Sequence, residues 1–429
     1  MKIEPYIFIS CSERKLFFIP ERQQTGRLTG GARRRAARPP GGLAVRGRIM
    51  GNSPCRVGHP GGDRERRPAG NRGVTAMFIR NAWYVAAWDH EIGREPMART
   101  ILGEPVVFWR REDGGVAALE DRCCHRLYPL SRGAVRGDHL QCGYHGMVFD
   151  DTGACVEIPW QKAVSHAARV RAYPVVERHR WIWIWMGDEA AADPDLITDF
   201  HWLDDPGWGA RGTHLHVGCD YRLIVENLLD LTHLAYVHGS TIGNAAVALA
   251  ADVDCERGED EVTVTRWTLD QPAPPTYVRA GGFTGNVDRW QIINFTPPAF
   301  VRLDVGACDA GTGAPEGRRV GGIRMRNLNA ITPESERSTH YFWAQAHDFD
   351  VGNQAVTDMV FEQVKTAFLE DVAVFEAQQA SIDREPGAPT MNLSQDAGGI
   401  AAREIIARRI DGEMAAAAAI PAADTREQG

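Results

Sequence analysis

Several absences bound this 429-residue chain before any motif is read. No apolar run approaches the roughly 18 residues that a membrane-spanning helix needs, the densest being residues 181–186, so a helical membrane protein is excluded. The basic, apolar, small-residue succession of a secretory signal is missing, and a cytoplasmic location is expected. Nine cysteines, an odd and scattered set, give no disulfide framework and suit a reducing compartment. There is no Gly-x-Gly-x-x-Gly after a strand and no plant-type cysteine run, so nicotinamide and flavin handling is not expected of this chain. No internal repeat is visible. What remains, 44% apolar and 24% charged residues, is ordinary globular material long enough for two domains.

The net charge of −8 is unevenly spread. Residues 1–76 hold 16 Lys and Arg against 5 acids, and residues 77–429 hold 32 against 51. The first stretch is rich in Arg, Gly and Pro and has neither helical nor strand periodicity, so disorder is expected there. It reads either as a nucleic-acid or anion-binding arm or as a non-native extension from an upstream start codon. The second reading is preferred, because Met77 opens directly onto patterned sequence.

From residue 77 to about 190 the chain reads as short apolar strands cut by Gly, Pro and Asp, a small antiparallel β domain. A polar, acidic boundary near residues 188–203 leads into a mixed α+β domain, residues 191–405, expected to carry an antiparallel sheet. Its strand candidates include residues 261–267 and 290–295; its helix candidates run from about 221 to 238 and from about 355 to 380. Residues 406–429, with their alanine run at 415–419, read as a flexible tail.

Six cysteines need no special account: Cys11 and Cys55 lie in the extension, and Cys155, Cys219, Cys255 and Cys308 stand alone. The other three cluster. Cys123-x-His125, sixteen residues, then Cys142-x-x-His145 puts one thiolate and one imidazole on each of two loops. Such a set demands metal, either one zinc or a two-iron two-sulfur cluster with the cysteines on one iron and the histidines on the other. A zinc finger would pair like with like; here each loop carries one of each.

These loops resemble the Rieske domain family. The likeness extends to Asp121-Arg122, Arg126, Pro129-Leu130-Ser131, Gly133, Gly143-Tyr144, Gly146, Phe149-Asp150, Gly153 and Pro159. It departs at Cys124, where the family commonly has Pro, and at Arg180, where a Gly usually precedes the next strand. Spacing favours Cys123 as the ligand, with Cys124 turned away. Gly143 and Gly146 would let backbone approach a cluster.

A second constellation, Asn227-x-x-Asp230-x-x-His233-x-x-x-x-His238, sits on the first predicted helix. Five residues of regular helix leave the two histidines about 140° apart. They can share a metal only if the helix ends or bulges between them, and Gly239 suits an ending. The segment is similar to the mononuclear-iron motif of the Rieske non-haem iron oxygenases. That resemblance makes His233 and His238 iron ligands, with Asn227 and Asp230 as site residues. Asp230 becomes the acid that hydrogen-bonds His233 and reaches a Rieske histidine of a neighbouring subunit. The third ligand of the facial triad is implied to be Asp371, in a segment like the family's carboxylate helix, with Glu370 as rival.

Over residues 77–380 the chain is most similar to oxygenase subunits of the vanillate O-demethylase type, through Asn81-Ala-Trp83-Tyr84, His201-Trp-Leu-Asp-Asp-Pro206, Cys219-Asp-Tyr221-Arg222 and Asp288-Arg289-Trp290-Gln291. The resemblance implies a terminal oxygenase with a Rieske [2Fe–2S] cluster and one Fe(II) per chain. It would take electrons from a separate reductase or ferredoxin, act with O2 on a small aromatic substrate and form a head-to-tail homotrimer, without nucleic-acid or membrane partners. O-demethylation of a methoxylated aromatic acid is the leading reaction; ring hydroxylation of an aromatic carboxylate such as a phthalate is the alternative. From another class, a Rieske electron-transfer protein without oxygenase activity is also weighed. A carboxylated substrate would want a cation, and Arg279, Arg289, Arg302, Arg324 and Arg326 are candidates among which the sequence does not choose.

Overall fold

The structure, a computed structural model, describes residues 77–238, 252–319 and 321–419. The basic extension with Cys11 and Cys55, Gly239 and the last ten residues lie outside the described residues.

The first domain is built of strands, in chain order β1 (Trp83–Trp88), β2 (Met97–Ile101), β3 (Glu104–Arg110), β4 (Val116–Glu120), β5 (Ala134–Arg136), β6 (His139–Gln141), β7 (Val148–Phe149), β8 (Cys155–Glu157), β9 (Val175–Arg178) and β10 (Trp181–Trp185). They form three antiparallel sheets ordered β1-β10-β9, β2-β3-β4 and β5-β6-β7-β8. The Trp-Ile-Trp-Ile-Trp run of β10 is buried throughout because a strand sends alternate side chains to opposite faces. Trp181, Trp183 and Trp185 join one apolar cluster, and Ile182 and Ile184 join another. The two-residue turn between β9 and β10 puts His179 and Arg180 at φ of 54° and 63°. Arg180 thus occupies the left-handed conformation that a glycine would take without strain, anchored by Nε donating to Asp89 Oδ2 at 2.5 Å.

The second domain follows as β11 (Gly209–Val217), α1 (Tyr221–Leu229), α2 (Leu234–Val237), β12 (Asp252–Arg257), β13 (Val262–Pro272), α3 (Pro275–Gly281), β14 (Asn286–Thr296), β15 (Phe300–Asp309), β16 (Ile323–Ser335), β17 (Ser338–His347), α4 (Gln354–Arg384) and α5 (Ala397–Ala419). Its seven strands form one antiparallel sheet ordered β11-β17-β16-β15-β14-β13-β12. The chain enters on one edge, crosses to the other, and returns strand by strand. That single crossing carries α1 and α2 over one face, and α4 is laid on the same face after β17.

Register decides what each face meets. Val287, Ile293, Leu303, Val305 and Ala307 point toward the helices and join their core. Phe300, Leu328, Ala330, Phe342 and Ala344 point the other way and pack on the tryptophans of the first domain, Trp183 meeting Phe300 at 5.4 Å between ring centroids. The first domain therefore packs on the face of the large sheet opposite the helices.

Two expectations are corrected. The helix predicted over residues 221–238 is broken at Asp230, whose extended backbone (φ −120°, ψ 104°) ends α1; a short 3-10 turn, Leu231–His233, precedes α2. The predicted tail from residue 406 is instead the second half of α5, a 23-residue helix with Ile405, Ile406 and Ile410 buried. Its alanines are the best helix formers, and Glu413 accepts from the backbone N–H groups of Arg80 and Asn81 at 2.7 and 2.8 Å. No helix of the described residues is long and apolar enough to cross a membrane.

Candidate metal centres

The two Cys-His loops have matching geometry. In each, the residue four after the cysteine is in the left-handed region, Leu127 at φ 59° and Gly146 at φ 74°. In each, that residue's N–H returns to the cysteine carbonyl, at 3.0 and 3.1 Å. Asp121 ties the first loop by accepting from the Ser131 N–H and hydroxyl, both at 2.6 Å. A Cβ added to Gly143 would lie 2.6 Å from the Arg132 carbonyl oxygen, so this glycine is required where the loops touch.

The loops bury Cys123 and Cys142 and leave His125 and His145 exposed, their rings 4.5 Å apart. Hydrogen bonding to Cys124, with burial, pushes the Cys123 thiol well above its usual range. Cys124 is therefore not turned away as expected: it is only half-buried, and its thiol meets that of Cys123. Among the described residues only one group of three or more ligand atoms converges within single-ion distance, and it is not on these loops. One zinc would draw its four ligands together; a two-iron two-sulfur cluster, one iron taking the buried thiolates and the other the exposed imidazoles, would fit the spread donor set.

The convergent group is His233, His238 and Asp371, whose ligand atoms lie within 4.8 Å of one another. The break at Asp230 and the end of α2 at Val237 place both histidines, the rings 5.2 Å apart and nearly perpendicular at 77°. The His233 Nδ1–H donates to the Asp230 main-chain carbonyl at 2.7 Å, which fixes the tautomer and leaves Nε2 with its lone pair. The Asp230 carboxylate turns elsewhere, accepting from Thr232 N and Oγ1, both at 2.9 Å, with Arg266 at 3.9 Å. The expected link from this acid to His233 is therefore made by backbone, not side chain.

On α4, Asp371 is buried with Oδ1 at 3.0 Å from His238 Nε2 and 3.7 Å from His233 Nε2. Glu370 is one step round the helix and takes the outer nitrogen, His238 Nδ1, at 2.7 Å. The geometry separates the two acids that helix phase had left open: Asp371 faces the inner nitrogens, and Glu370 orients a ring. Burial lowers the His233 pKa and outweighs the Asp371 charge. For His238 burial is overcome by Asp371 and Glu370, and its pKa is raised. A cation between the three groups would take the place of the proton shared by His238 and Asp371. Two imidazoles and one carboxylate, buried beside a cavity, fit an iron that keeps open positions.

A cavity lies between sheet and helices. Asn227, Leu228, Leu231, Leu234 and Phe368 line its helical side with the triad, and Tyr277 closes it from α3. Arg289, Gln291, Leu303, Val305, Met325, Asn327 and Gln345 line the sheet side, at alternate positions of four adjacent strands. Asn329 Nδ2 donates to Asn327 Oδ1 at 2.8 Å, and Asn327 Nδ2 to Gln345 Oε1 at 3.1 Å. This polar row was not foreseen. Its sequence signal is Asn327-x-Asn329, two amides at the inward positions of a strand otherwise apolar on that face.

Comparisons with known proteins agree with this geometry. Residues 82–174 match the Rieske [2Fe-2S] domain, and residues 217–412 match the vanillate O-demethylase oxygenase C-terminal domain. The chain is 45% identical over 326 residues to the iron-sulfur subunit of a toluene-4-sulfonate monooxygenase system of Comamonas testosteroni, covering 75% of this chain and 94% of that one. It is 39% identical to a vanillate O-demethylase oxygenase subunit of a Pseudomonas strain, over 80% and 97% of the two chains. Among solved structures, dicamba monooxygenase bound to 3,6-dichlorosalicylic acid superposes with a TM-score of 0.74 at 34% identity, covering 79% of this chain and all of that one.

Proposed function

This chain belongs to the Rieske non-haem iron oxygenases of the vanillate O-demethylase type, and from that premise we propose that it oxidises a methyl group carried by an aromatic acid, most directly by O-demethylation. As a member of that family it is an oxygenase that works with a [2Fe–2S] cluster and a mononuclear Fe(II). The assignment of residues is our reading: Cys123, His125, Cys142 and His145 hold the cluster, and His233, His238 and Asp371 hold the iron. The observation that carries it is the convergence of those three side chains on a mostly apolar cavity.

When bound, the two metal groups supply O2 activation and the relay of electrons to it. The residues of the chain do the rest. Asp230 and Glu370 fix the outer nitrogens of the two histidines, so both inner nitrogens are aimed before any ligand arrives. Leu228, Leu231, Leu303, Val305 and Phe368 present an apolar wall to an aromatic ring and keep water from the reacting methyl. In the net reaction one oxygen atom enters the methyl carbon and the other leaves as water, with two electrons and two protons supplied from outside. The resulting hemiacetal separates into a phenol and formaldehyde.

The chain carries no nucleotide motif, so a separate reductase or ferredoxin supplies the electrons. His125 and His145 face outward beside exposed Leu127 and Tyr144, and the first domain packs on the sheet face opposite the helices. Both facts favour delivery to a neighbouring chain's iron in a head-to-tail homotrimer. A polar concavity on the outer side of Asp230, lined by Asp220, Arg222, Glu226 and Arg403, suits the receiving face.

Hydroxylation of a methyl attached directly to the ring is a second reading, favoured by the relatives named for toluene-4-sulfonate. Turnover with a surrogate reductase over methoxybenzoates, methylbenzenesulfonates and phthalates decides. Formaldehyde from the methoxybenzoates supports demethylation, and a benzylic alcohol from the sulfonates supports the second reading. Diol or ring-hydroxylated products alone would overturn both.

A further inference from the structure

The cavity contains a buried cation that no acid among the described residues neutralises. Of the five arginines that an acid substrate could use, strand register removes three. Leu303 and Val305 point into the cavity, so Arg302 leaves β15 on the other face; Arg324 and Arg326 do the same on β16, which sends Met325 and Asn327 inward. Arg324 and Arg326 are also paired, with Asp348 at 2.5 Å and Asp304 at 3.1 Å. Arg279 is exposed on α3. Arg289 stands opposite Ala307 on the inward face and lines the cavity.

Arg289 is 5% exposed, and its Nε and Nη1 are buried without a hydrogen-bond partner. Among the described residues no carboxylate lies within ion-pair distance of it, and residues 239–251, between His238 and β12, contain no Asp or Glu. Its guanidinium lies over the Tyr277 ring, 4.7 Å from the centroid, which holds the plane in place. Arg266, the next cation on this face, sits opposite Gln291 and faces Asp230 at 3.9 Å, so the nearest acid is already engaged. A guanidinium does not discharge itself by losing a proton. A buried one without a counter-charge is strongly disfavoured, and among the described residues no acid supplies that charge, which leaves the role to a ligand.

We propose that Arg289 is the anion receptor of this cavity, binding an oxyanion carried on the substrate's aromatic ring, a carboxylate or a sulfonate. This rests on the reading of the chain as an aryl-methyl oxygenase. The receptor lies on the sheet side of the cavity and the triad on the helical side, with Leu303 and Val305 of the neighbouring strand under the ring. The oxyanion is thus anchored on one wall while the methyl is presented to the other. A neutral aromatic of the same shape fills the apolar wall but leaves the guanidinium unpaired, so the site selects acids.

The test is equilibrium binding to the fully loaded enzyme under nitrogen without reductant, so that no turnover occurs. The probes are 4-methoxybenzoate and 4-methylbenzenesulfonate, each against its neutral amide. The wild type is expected to hold each anion at least about 10-fold more tightly than its amide. Arg289→Gln is expected to weaken the anions about 10- to 100-fold and leave the amides within about 3-fold. Arg289→Lys, which keeps charge but loses the planar donors, is expected to fall between. Equal wild-type affinity for anion and amide would overturn the proposal even if no variant folds, and so would an equal loss of both in Arg289→Gln. The ratio of carboxylate to sulfonate affinity identifies the oxyanion. Arg289-dependent anion binding without any methyl oxidation would keep the receptor and remove the demethylase reading; oxidation of acids and amides alike, unaltered in Arg289→Gln, would do the reverse.

Discussion

Replacing Glu370 by Gln separates the two adjacent acids of α4 most cleanly. Glu370 Oε2 accepts from His238 Nδ1 at 2.7 Å and touches neither inner nitrogen, whereas Asp371 Oδ1 lies 3.0 Å from His238 Nε2. A charge-assisted hydrogen bond is worth about 1.5–3 kcal/mol. The Glu370 side chain is 32% exposed, and glutamine still offers a carbonyl acceptor, so the expected loss is about 1–2 kcal/mol, roughly 5- to 30-fold in Fe(II) affinity. Asp371→Asn removes the anionic ligand and is expected to abolish tight iron binding. The assay is anaerobic Fe(II) titration of protein freed of its mononuclear iron, with the visible spectrum of the Rieske cluster as internal standard. Both variants should keep that spectrum. Loss of all iron binding in Glu370→Gln while Asp371→Asn retains it would refute the assignment.

Gly143→Ala should lower cluster occupancy, read as visible absorbance per chain, without lowering Fe(II) uptake at the second site, since its Cβ would strike the Arg132 carbonyl at 2.6 Å. Ile406→Ala should cost about 2–5 kcal/mol in denaturant unfolding because the side chain is buried, while exposed Met414→Ala should stay within about 0.5 kcal/mol; a flexible tail would make both silent. His340 and His214, in contact at 3.2 Å between the sheet and β2, are held neutral by burial and then by Arg99, their pKa values lowered to about 3 and about 4. Their contribution to stability is full above the unfolded pKa of about 6.5 and is lost as pH falls from there toward 4. In His340→Gln the slope of unfolding free energy between pH 6.5 and 4.5 should flatten by up to about 1.4 kcal/mol per pH unit, and an unchanged slope would remove this account.

The parts of the fold that were legible in the sequence are those set by local chemistry. The Cys-x-His and Cys-x-x-His loops identified the cluster domain, and alternation marked strands within β13 and β14. The 140° mismatch between His233 and His238 demanded a helix end, and α2 does end at Val237. The break at Asp230 was not legible, because Tyr221 to His238 contains neither Gly nor Pro and its capping acid doubles as a site residue. Residues beyond 405 misled for the opposite reason: an alanine run looks like low complexity until its few isoleucines meet a partner, as Ile406 and Ile410 do. Choosing Asp371 over Glu370, and Arg289 over four other arginines, needed the register of elements far apart in the chain. The contacts of His238 separate the two acids, and strand parity with the exposure of Arg279 leaves Arg289 on the cavity face.

One chain is expected to carry two separate metal centres, a cluster on the β loops and an open iron site under the large sheet. Iron, acid-labile sulfide and zinc analysis of the purified protein tests it directly. About three iron and two sulfide per chain are expected, falling to about two and two in Asp371→Asn. Two iron and two sulfide in the wild type would leave an electron carrier, and zinc in place of iron would contradict the account at both sites.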